Sequence, residues 1–301
     1  MEKMNKDKLL LVDGDILNFT VCRITEDITD FGDTLLESFD EEATIRLFES
    51  GLNAIAEKTG YPIENIIYAL SDVENFRKTM FPTYKQNRKE VRKPLGLKFL
   101  RKHQYDNADK YQILSMTRLE ADDAMGIVAT ADLENIAIYS QDKDLKTIPC
   151  KQWDFKLDKF ITLTHRQSCH FLYTQLLTGD TCDGIKGCKR IGKVKAEKAL
   201  SKCLDERQLL EACFCLYAKS HDFDIEEAKA DLLYNMGQLR ILHNLDYIVL
   251  ENTNKTYNPF NVFRIDKEQL DEWVNYYKEI NVKAGKKVRK KGSGSKETKK
   301  V

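Results

Sequence analysis

Apolar residues in the first half of the chain gather into short unbroken runs; in the second half they fall at helical spacing. Leu9-Leu10-Leu11-Val12 is a continuous run ending in Asp13-Gly14-Asp15, which predicts a buried strand with acids at its carboxyl end. Residues 40–58 read as a helix with Asp40 as N-cap, a Glu-rich first turn, and Gly60 and Pro62 after its end. Ile66-Ile67-Tyr68-Ala69-Leu70 predicts a second strand, ending in Ser71-Asp72. A helix over Glu120 to Ala131 precedes a third strand, Ile136-Ala137-Ile138-Tyr139, which ends in Ser140-Gln141-Asp142-Lys143-Asp144. Apolar strands alternating with helices predict an α/β fold with a mostly parallel central sheet flanked by helices. In such sheets ligands bind beyond the carboxyl ends of the strands, where these three acidic ends would lie. From residue 165 the pattern is helical, over 165–177, over 191–203 after a Gly-containing turn, and over 224–242. No internal repeat is visible.

The 301 residues fit one large domain or two small ones, and 42% apolar content suffices for a core. No run of 18 apolar residues predicts a membrane span, and no apolar N-terminal stretch predicts export. Eight cysteines without a CxxC pair argue against a zinc ribbon and for reduced thiols. The formal net charge is zero, but residues 281–301 hold nine Lys/Arg and one Glu, so the rest of the chain is acidic. The tail from about Lys283 is expected to be disordered, either a loose tether to nucleic acid or a solubility tail.

Three constellations carry candidate chemistry. The first is acidic: Asp13, Asp72, Glu120, Asp122, Asp123, Asp142, Asp144, Asp180 and Asp183. Converging carboxylates raise one another's pKa unless cations sit among them, and oxygen-only ligands favour Mg²⁺ or Mn²⁺. Two such ions suit phosphodiester hydrolysis. Capping of turns and helix N-termini is the competing explanation for each acid alone. The second is basic: residues 77–102 contain ten Lys/Arg against Glu90, with Tyr84 beside Lys85 and Arg88. Cations for phosphates and an aromatic face for a base suit single-stranded or frayed nucleic acid, although a charge run is usually only a solvated face. The third runs from Thr178 to Gly187 and on through Gly192 to Leu200; its glycines permit a tight turn before a lysine-bearing helix N-terminus.

Five ordered motifs now stand together: Val12-Asp13-Gly14-Asp15, Tyr84-Lys85-x-x-Arg88, Glu120-Ala121-Asp122-Asp123, Asp142-Lys143-Asp144 and Gly179-Asp180-x-x-Asp183-Gly184-Ile185-x-Gly187. Over roughly residues 8–250 the chain resembles the flap endonuclease/5′-nuclease superfamily, most of all the stand-alone 5′→3′ exonucleases of short-tailed bacteriophages. The resemblance implies a PIN-like core over 1–164 with a basic helical arch at 76–104. A helical subdomain over 165–280, with a helix–hairpin–helix-like element at 178–203, and a basic tail at 281–301 would follow. It assigns Asp13, Asp72, Glu120 and Asp122 to a first metal, Asp142 between sites, Asp144, Asp180 and Asp183 to a second, and Asp123 to the support of either. Lys85 and Arg88 would act with Asp142 in catalysis by contacting the scissile phosphate. DNA contacts are expected of Arg77, Lys78, Tyr84, Lys85, Arg88, Lys89, Lys93, Gly184, Gly187, Gly192, Lys193 and Lys195. Two Mg²⁺ or Mn²⁺ ions are implied, with room for a K⁺ ion at the hairpin, where Arg190 departs from the glycine that related hairpins often carry. The implied activity is hydrolysis near the 5′ end of duplex, nicked or flapped DNA, with room for RNA in RNA–DNA hybrids. Its implied setting is phage replication, primer removal and recombination in the cytoplasm of an infected bacterium, without a membrane. Two rivals remain. Asp13 and Asp15 also fit the first motif of aspartyl phosphatases, as nucleophile and acid/base, and a relative that binds DNA without cutting it would keep the fold.

Overall fold

The computed structural model describes residues 8–88, 90–246 and 257–292, with side chains as far as 281. The chain divides into two compact units. The first comprises residues up to Leu172, Thr181–Ile185 and the stretch from Gly237 to Tyr257. Its sheet has the order β5-β4-β1-β6-β7-β8, from β1 (Leu9–Asp13), β4 (Ile66–Ala69), β5 (Ile113–Leu114), β6 (Ile136–Tyr139), β7 (Lys151–Asp154) and β8 (Lys159–Thr162). All neighbours pair in parallel except β7 and β8, which are antiparallel. The three strands expected from the apolar runs are therefore adjacent, in the order β4-β1-β6, and their acidic ends share one edge of the sheet. Leu10, Leu11, Ala69, Ala137 and Ile138 are fully or almost fully buried, as a sheet covered on both faces requires.

Helices supply that cover. Asp13 both ends β1 and caps α1 (Gly14–Thr25), accepting from the Ile16 N–H at 3.1 Å. Gly14 is demanded by packing: a Cβ there would stand 2.6 Å from the Ala69 carbonyl and 2.8 Å from the Tyr68 ring. Helix α2 (Glu41–Thr59) begins at the Asp40 cap and closes on Gly60, whose left-handed backbone (φ 72°) returns its N–H to Ala56. It buries Thr44, Phe48, Leu52 and Ile55 along one stripe. Between α1 and α2 lies an exposed hairpin, β2 (Glu26–Asp30) with β3 (Leu35–Phe39). The basic stretch contains α3 (Phe76–Met80), a short 3-10 turn (Gln86–Arg88) and α4 (Leu97–Asp106), and α5 (Ala121–Ala131) follows β5.

The second unit comprises Tyr173–Asp180, Lys186–Met236 and residues from Asn258 onward. Helix α6 (His165–Thr178) has its C-terminal half here. The others are α7 (Lys193–Leu200), α8 (Glu206–Ser220), most of α9 (Ile225–Leu239), α10 (Pro259–Val262) and α11 (Lys267–Gly292). Phe214, Tyr217, Leu210 and Phe260 are buried at its core, and the Phe214 and Phe260 rings meet edge to face at 5.5 Å.

One boundary expectation is corrected. The helix expected to run to Leu242 ends at Leu239, because the Leu242 N–H donates to Asp123 at 3.0 Å instead of to the preceding turn. Helix α11 continues as far as Gly292 with no proline to stop it; residues 293–301 of the tail expected to be disordered lie outside the described residues. No helix among the described residues is long and apolar enough to cross a membrane.

Candidate metal centre

The acids at the sheet edge form two neighbouring groups within the first unit. In one, Asp13 accepts from the Ser140 hydroxyl at 2.9 Å through Oδ2, and the Ser140 oxygen in turn accepts the Asp142 N–H at 2.9 Å. The ends of β1 and β6 are thus tied through one serine. Asp142 caps the 3-10 turn Lys143–Thr147 by accepting from the Asp144 N–H at 2.8 Å. Asp13 and Asp142 each commit one carboxylate oxygen to a local cap, so the capping explanation holds for them in part. Burial pushes the Asp13 carboxyl up to about 6, with Asp15 and Asp142 adding to it against the hydrogen bonds from Ile16 and Ser140.

In the other group, ligand oxygens of Glu120, Asp122 and Asp123 lie within 4.8 Å of one another. Glu120 occupies the N-cap position of α5 without capping it. Its carboxylate accepts from the Tyr84 hydroxyl at 2.7 Å and from Lys85 Nζ at 2.6 Å. Burial alone would raise its pKa, but Lys85 and Arg77 hold it well below the usual carboxylate range. Asp122 moves the opposite way: burial, then Glu120 and Asp123, push it well up. For Lys85, burial disfavours the charge, but Glu120, Asp122 and Asp183 outweigh it and keep the ammonium charged. Lys85 holds this place with left-handed backbone (φ 53°), its N–H donating to the Asp183 carbonyl at 3.1 Å. Arg88 also pairs with the Asp183 carboxylate.

Ser71, at the end of β4, joins these parts. Its hydroxyl accepts from the Ala121 N–H at 2.9 Å, and its own N–H donates to Asp15 at 3.0 Å. Asp15 in turn pairs with Arg101 at 3.0 Å. Asp72 spends both oxygens on backbone, accepting from Val73 at 2.7 Å and Arg118 at 2.6 Å. Ser71 and Ser140 were missed in the sequence; each lies just past a buried strand and one or two residues before an acid, which was the available signal.

Several expected site residues lie elsewhere than foreseen. Arg77, expected at DNA, is 2% exposed and makes a bidentate pair with Asp123, which is 0% exposed and also accepts from Leu242. A metal could take Asp123 only by displacing Arg77. Tyr84, expected as a stacking face, is 5% exposed with its hydroxyl on Glu120. Lys78 and Lys93 are exposed, as are Lys193 and Lys195. Lys89 lies outside the described residues. Asp144 is half-buried beside Asp142. Asp180 belongs to the second unit, is buried, and faces Gln175 Nε2 at 3.5 Å. In the hairpin, Gly184 (φ 75°) and Gly187 (φ 65°) are left-handed, and a Cβ on Gly187 would collide with the backbone of Gly179. Gly192 caps α7 under no such constraint. Arg190 is itself left-handed (φ 66°), so the position that departs from glycine has the backbone glycine suits best.

Oxygen donors alone line both groups, and one acid in each is shifted toward protonation by burial and by its own neighbours: Asp13 by Asp15 and Asp142, Asp122 by Glu120 and Asp123. Divalent ions of the Mg²⁺ or Mn²⁺ kind would relieve that shift, so these residues fit such a group.

Residues 8–167 match the family described as 5′-3′ exonuclease, N-terminal resolvase-like domain. The exonuclease of Escherichia phage T7 is 29% identical over 188 residues, 60% of this chain and 62% of the relative, so the match spans less than two thirds of that protein. A flap endonuclease Xni of Shewanella sp. (strain ANA-3) is 27% identical over 258 residues, 78% of this chain and 91% of its own. The flap endonuclease of bacteriophage T5, solved as a pseudo-enzyme-product complex with DNA and metal ions, superposes with TM-score 0.54 at 17% identity, over 90% of this chain and 98% of that one.

Proposed function

Since the chain belongs to the 5′-3′ exonuclease family through its N-terminal resolvase-like domain, we propose that it is a metal-dependent 5′→3′ exonuclease and structure-specific 5′ nuclease acting on duplex, nicked or flapped DNA. One observation carries the reading: within the family-matched region, three adjacent parallel strands end in acids at one sheet edge, beside the gathered carboxylates of Glu120 and Asp122. The relatives named exonuclease and flap endonuclease support it.

Glu120 and Asp122, with Asp13, Asp72 and Asp142, would hold the first divalent ion; Asp144 and Asp183 would serve the second. When bound, such ions supply positive charge for the phosphate oxygens and acidify water at neutral pH. The rest falls to the chain. Tyr84 and Lys85 orient Glu120, and Ser140 orients Asp13. Lys85 stays charged and would neutralise charge growing on the phosphate, with Arg88 beside it. Arg77 holds Asp123 and positions the start of α5 without reaching substrate. A K⁺ ion at the hairpin would compete with Lys195, whose Nζ already donates to the Arg190 carbonyl at 2.9 Å.

The phosphatase alternative is disfavoured because Asp15, its acid/base, is held by Arg101 and the Ser71 N–H. The test uses end-labelled nicked, blunt and flapped duplexes with Mg²⁺, Ca²⁺ or EDTA. Products released from the 5′ end with Mg²⁺ and absent in EDTA are expected. Asp142→Asn should abolish cleavage and leave DNA binding intact. Undiminished digestion in chelator would overturn the reading, and a binding-competent chain that never cuts would be the non-catalytic relative.

A further inference from the structure

The second unit contains a cavity of about 1280 Å³, of which the nuclease reading uses only the hairpin side at Arg190 and Lys195. Three helix faces meet there. Lys195, Lys198 and Ala199 come from α7, and Gln208, Glu211, Ala212, Cys215 and Lys219 lie along one stripe of α8. Trp273, Tyr276, Tyr277 and Ile280 follow at helical spacing on α11. The faces are fastened together: the Cys215 thiol donates to the Trp273 carbonyl at 3.5 Å, and Lys219 Nζ stands 5.9 Å from the centre of the Tyr277 ring.

The lining is cationic and aromatic at once. Lys189, Arg190, Lys195, Lys198, Lys202 and Lys219 face only Glu211 and Asp222. All six cations are exposed, and none makes an ion pair among the described residues. Trp273 is buried at 6% exposure, whereas Tyr276 is 63% exposed and presents its ring to whatever enters. Small-molecule sites enclose roughly 300–1,000 Å³, so this cavity has room for more than one nucleotide. Cations for phosphates beside a free aromatic face suit a strand whose bases are unpaired; in a duplex the bases are stacked on one another and present no face to Tyr276.

We propose that this cavity binds a single-stranded segment of nucleic acid, with phosphates on the lysines of α7 and the turn after it and a base on Tyr276. The proposal rests on the nuclease reading for its context: a flap or a resected end supplies such a strand. It gives a role to α11, which lies beyond the family-matched residues. The chain's own Lys-rich end would be repelled from the same cavity.

Binding is read by fluorescence anisotropy on the full chain in EDTA, with a labelled single-stranded thymidine oligomer of about 12 nucleotides and a blunt duplex of equal length. Tyr276→Ala is expected to weaken single-strand binding roughly 5- to 100-fold, the usual cost of losing one base stack, while Tyr276→Phe retains it. Lys198→Glu with Lys202→Glu should weaken single-strand binding likewise, and Tyr276→Ala should leave duplex affinity within about twofold of the parent, since a duplex offers no unpaired base to stack. Unchanged melting temperatures establish that the variants fold. Unaltered single-strand affinity in these variants, or an equal loss on duplex in Tyr276→Ala, would overturn the proposal. Because no cleavage is measured, a chain that cuts nothing yet loses single-strand binding on substitution would sink the nuclease reading and keep this site.

Discussion

Arg77 and Asp123 form the pair on which the acidic cluster leans. Both are out of water, and Asp123 holds Arg77 and the Leu242 N–H together. Removing one partner strands a buried charge, so Arg77→Ala should destabilise the protein by about 3–5 kcal/mol in urea unfolding. Arg77→Met combined with Asp123→Leu should recover much of that loss. Glu120 and Asp122 need a different measurement. Mg²⁺ should raise the melting temperature of the parent, since it binds the folded chain alone, and Glu120→Gln with Asp122→Asn should remove that increment. His243 supplies the pH dependence. Burial first, then Arg240 and His165, lower its pKa to about 3. The folded imidazole is therefore neutral where the unfolded one, near 6.5, takes a proton. Its contribution is fully present above pH 6.5 and is lost as pH falls toward 3, at up to about 1.4 kcal/mol per pH unit. His243→Leu should flatten the stability curve below pH 6.5 relative to the parent.

Among the elements, β1 and α1 share a junction with no slack. Gly14→Ala would drive a methyl group into Ala69 and Tyr68, costing about 1–3 kcal/mol and displacing Asp13, so both the urea midpoint and the cleavage rate should fall. This junction also marks where reading the sequence worked and where it stopped. The apolar runs of β1, β4 and β6 were legible because strands buried on both faces leave an unbroken apolar signature, and α2 because its caps are explicit. Helix α1 went unread since Gly14-Asp15 looks like a turn; the signal was Asp13 capping onto Ile16. The β2–β3 hairpin is exposed along nearly its whole length and has no buried face to impose a pattern. Among the candidate site residues, the acids could be named from type and order alone. What escaped was the use of Arg77 and Tyr84 inside the fold, because a run of Lys and Arg does not disclose which cations meet an acid from a distant segment.

Over the whole molecule, the concentration of positive charge at 77–102 is much reduced by folding. Lys85, Arg88, Arg92, Arg101 and Lys102 pair with Glu120, Asp183, Glu26, Asp15 and Asp106, in addition to Arg77 with Asp123. Lys78, Lys93 and Lys98 remain exposed and make no ion pair among the described residues. The salt dependence of DNA binding should therefore reflect far fewer phosphate contacts than ten cations suggest. Lys78→Ala and Lys93→Ala should each reduce the slope of log affinity against log salt by about 1 if they touch phosphate.

The hold of Lys85 and Arg88 on Glu120 and Asp183 has a thermodynamic corollary. A divalent ion that claims those carboxylates releases two positive side chains, and a phosphate that draws off the side chains bares the carboxylates. Each ligand prepares the chain for the other, and linkage obliges the two effects to be equal. Calcium titrated against the protein with and without a nicked duplex should give the same fold-change in affinity as the duplex titrated with and without calcium, and that shared factor should shrink toward one in Lys85→Ala.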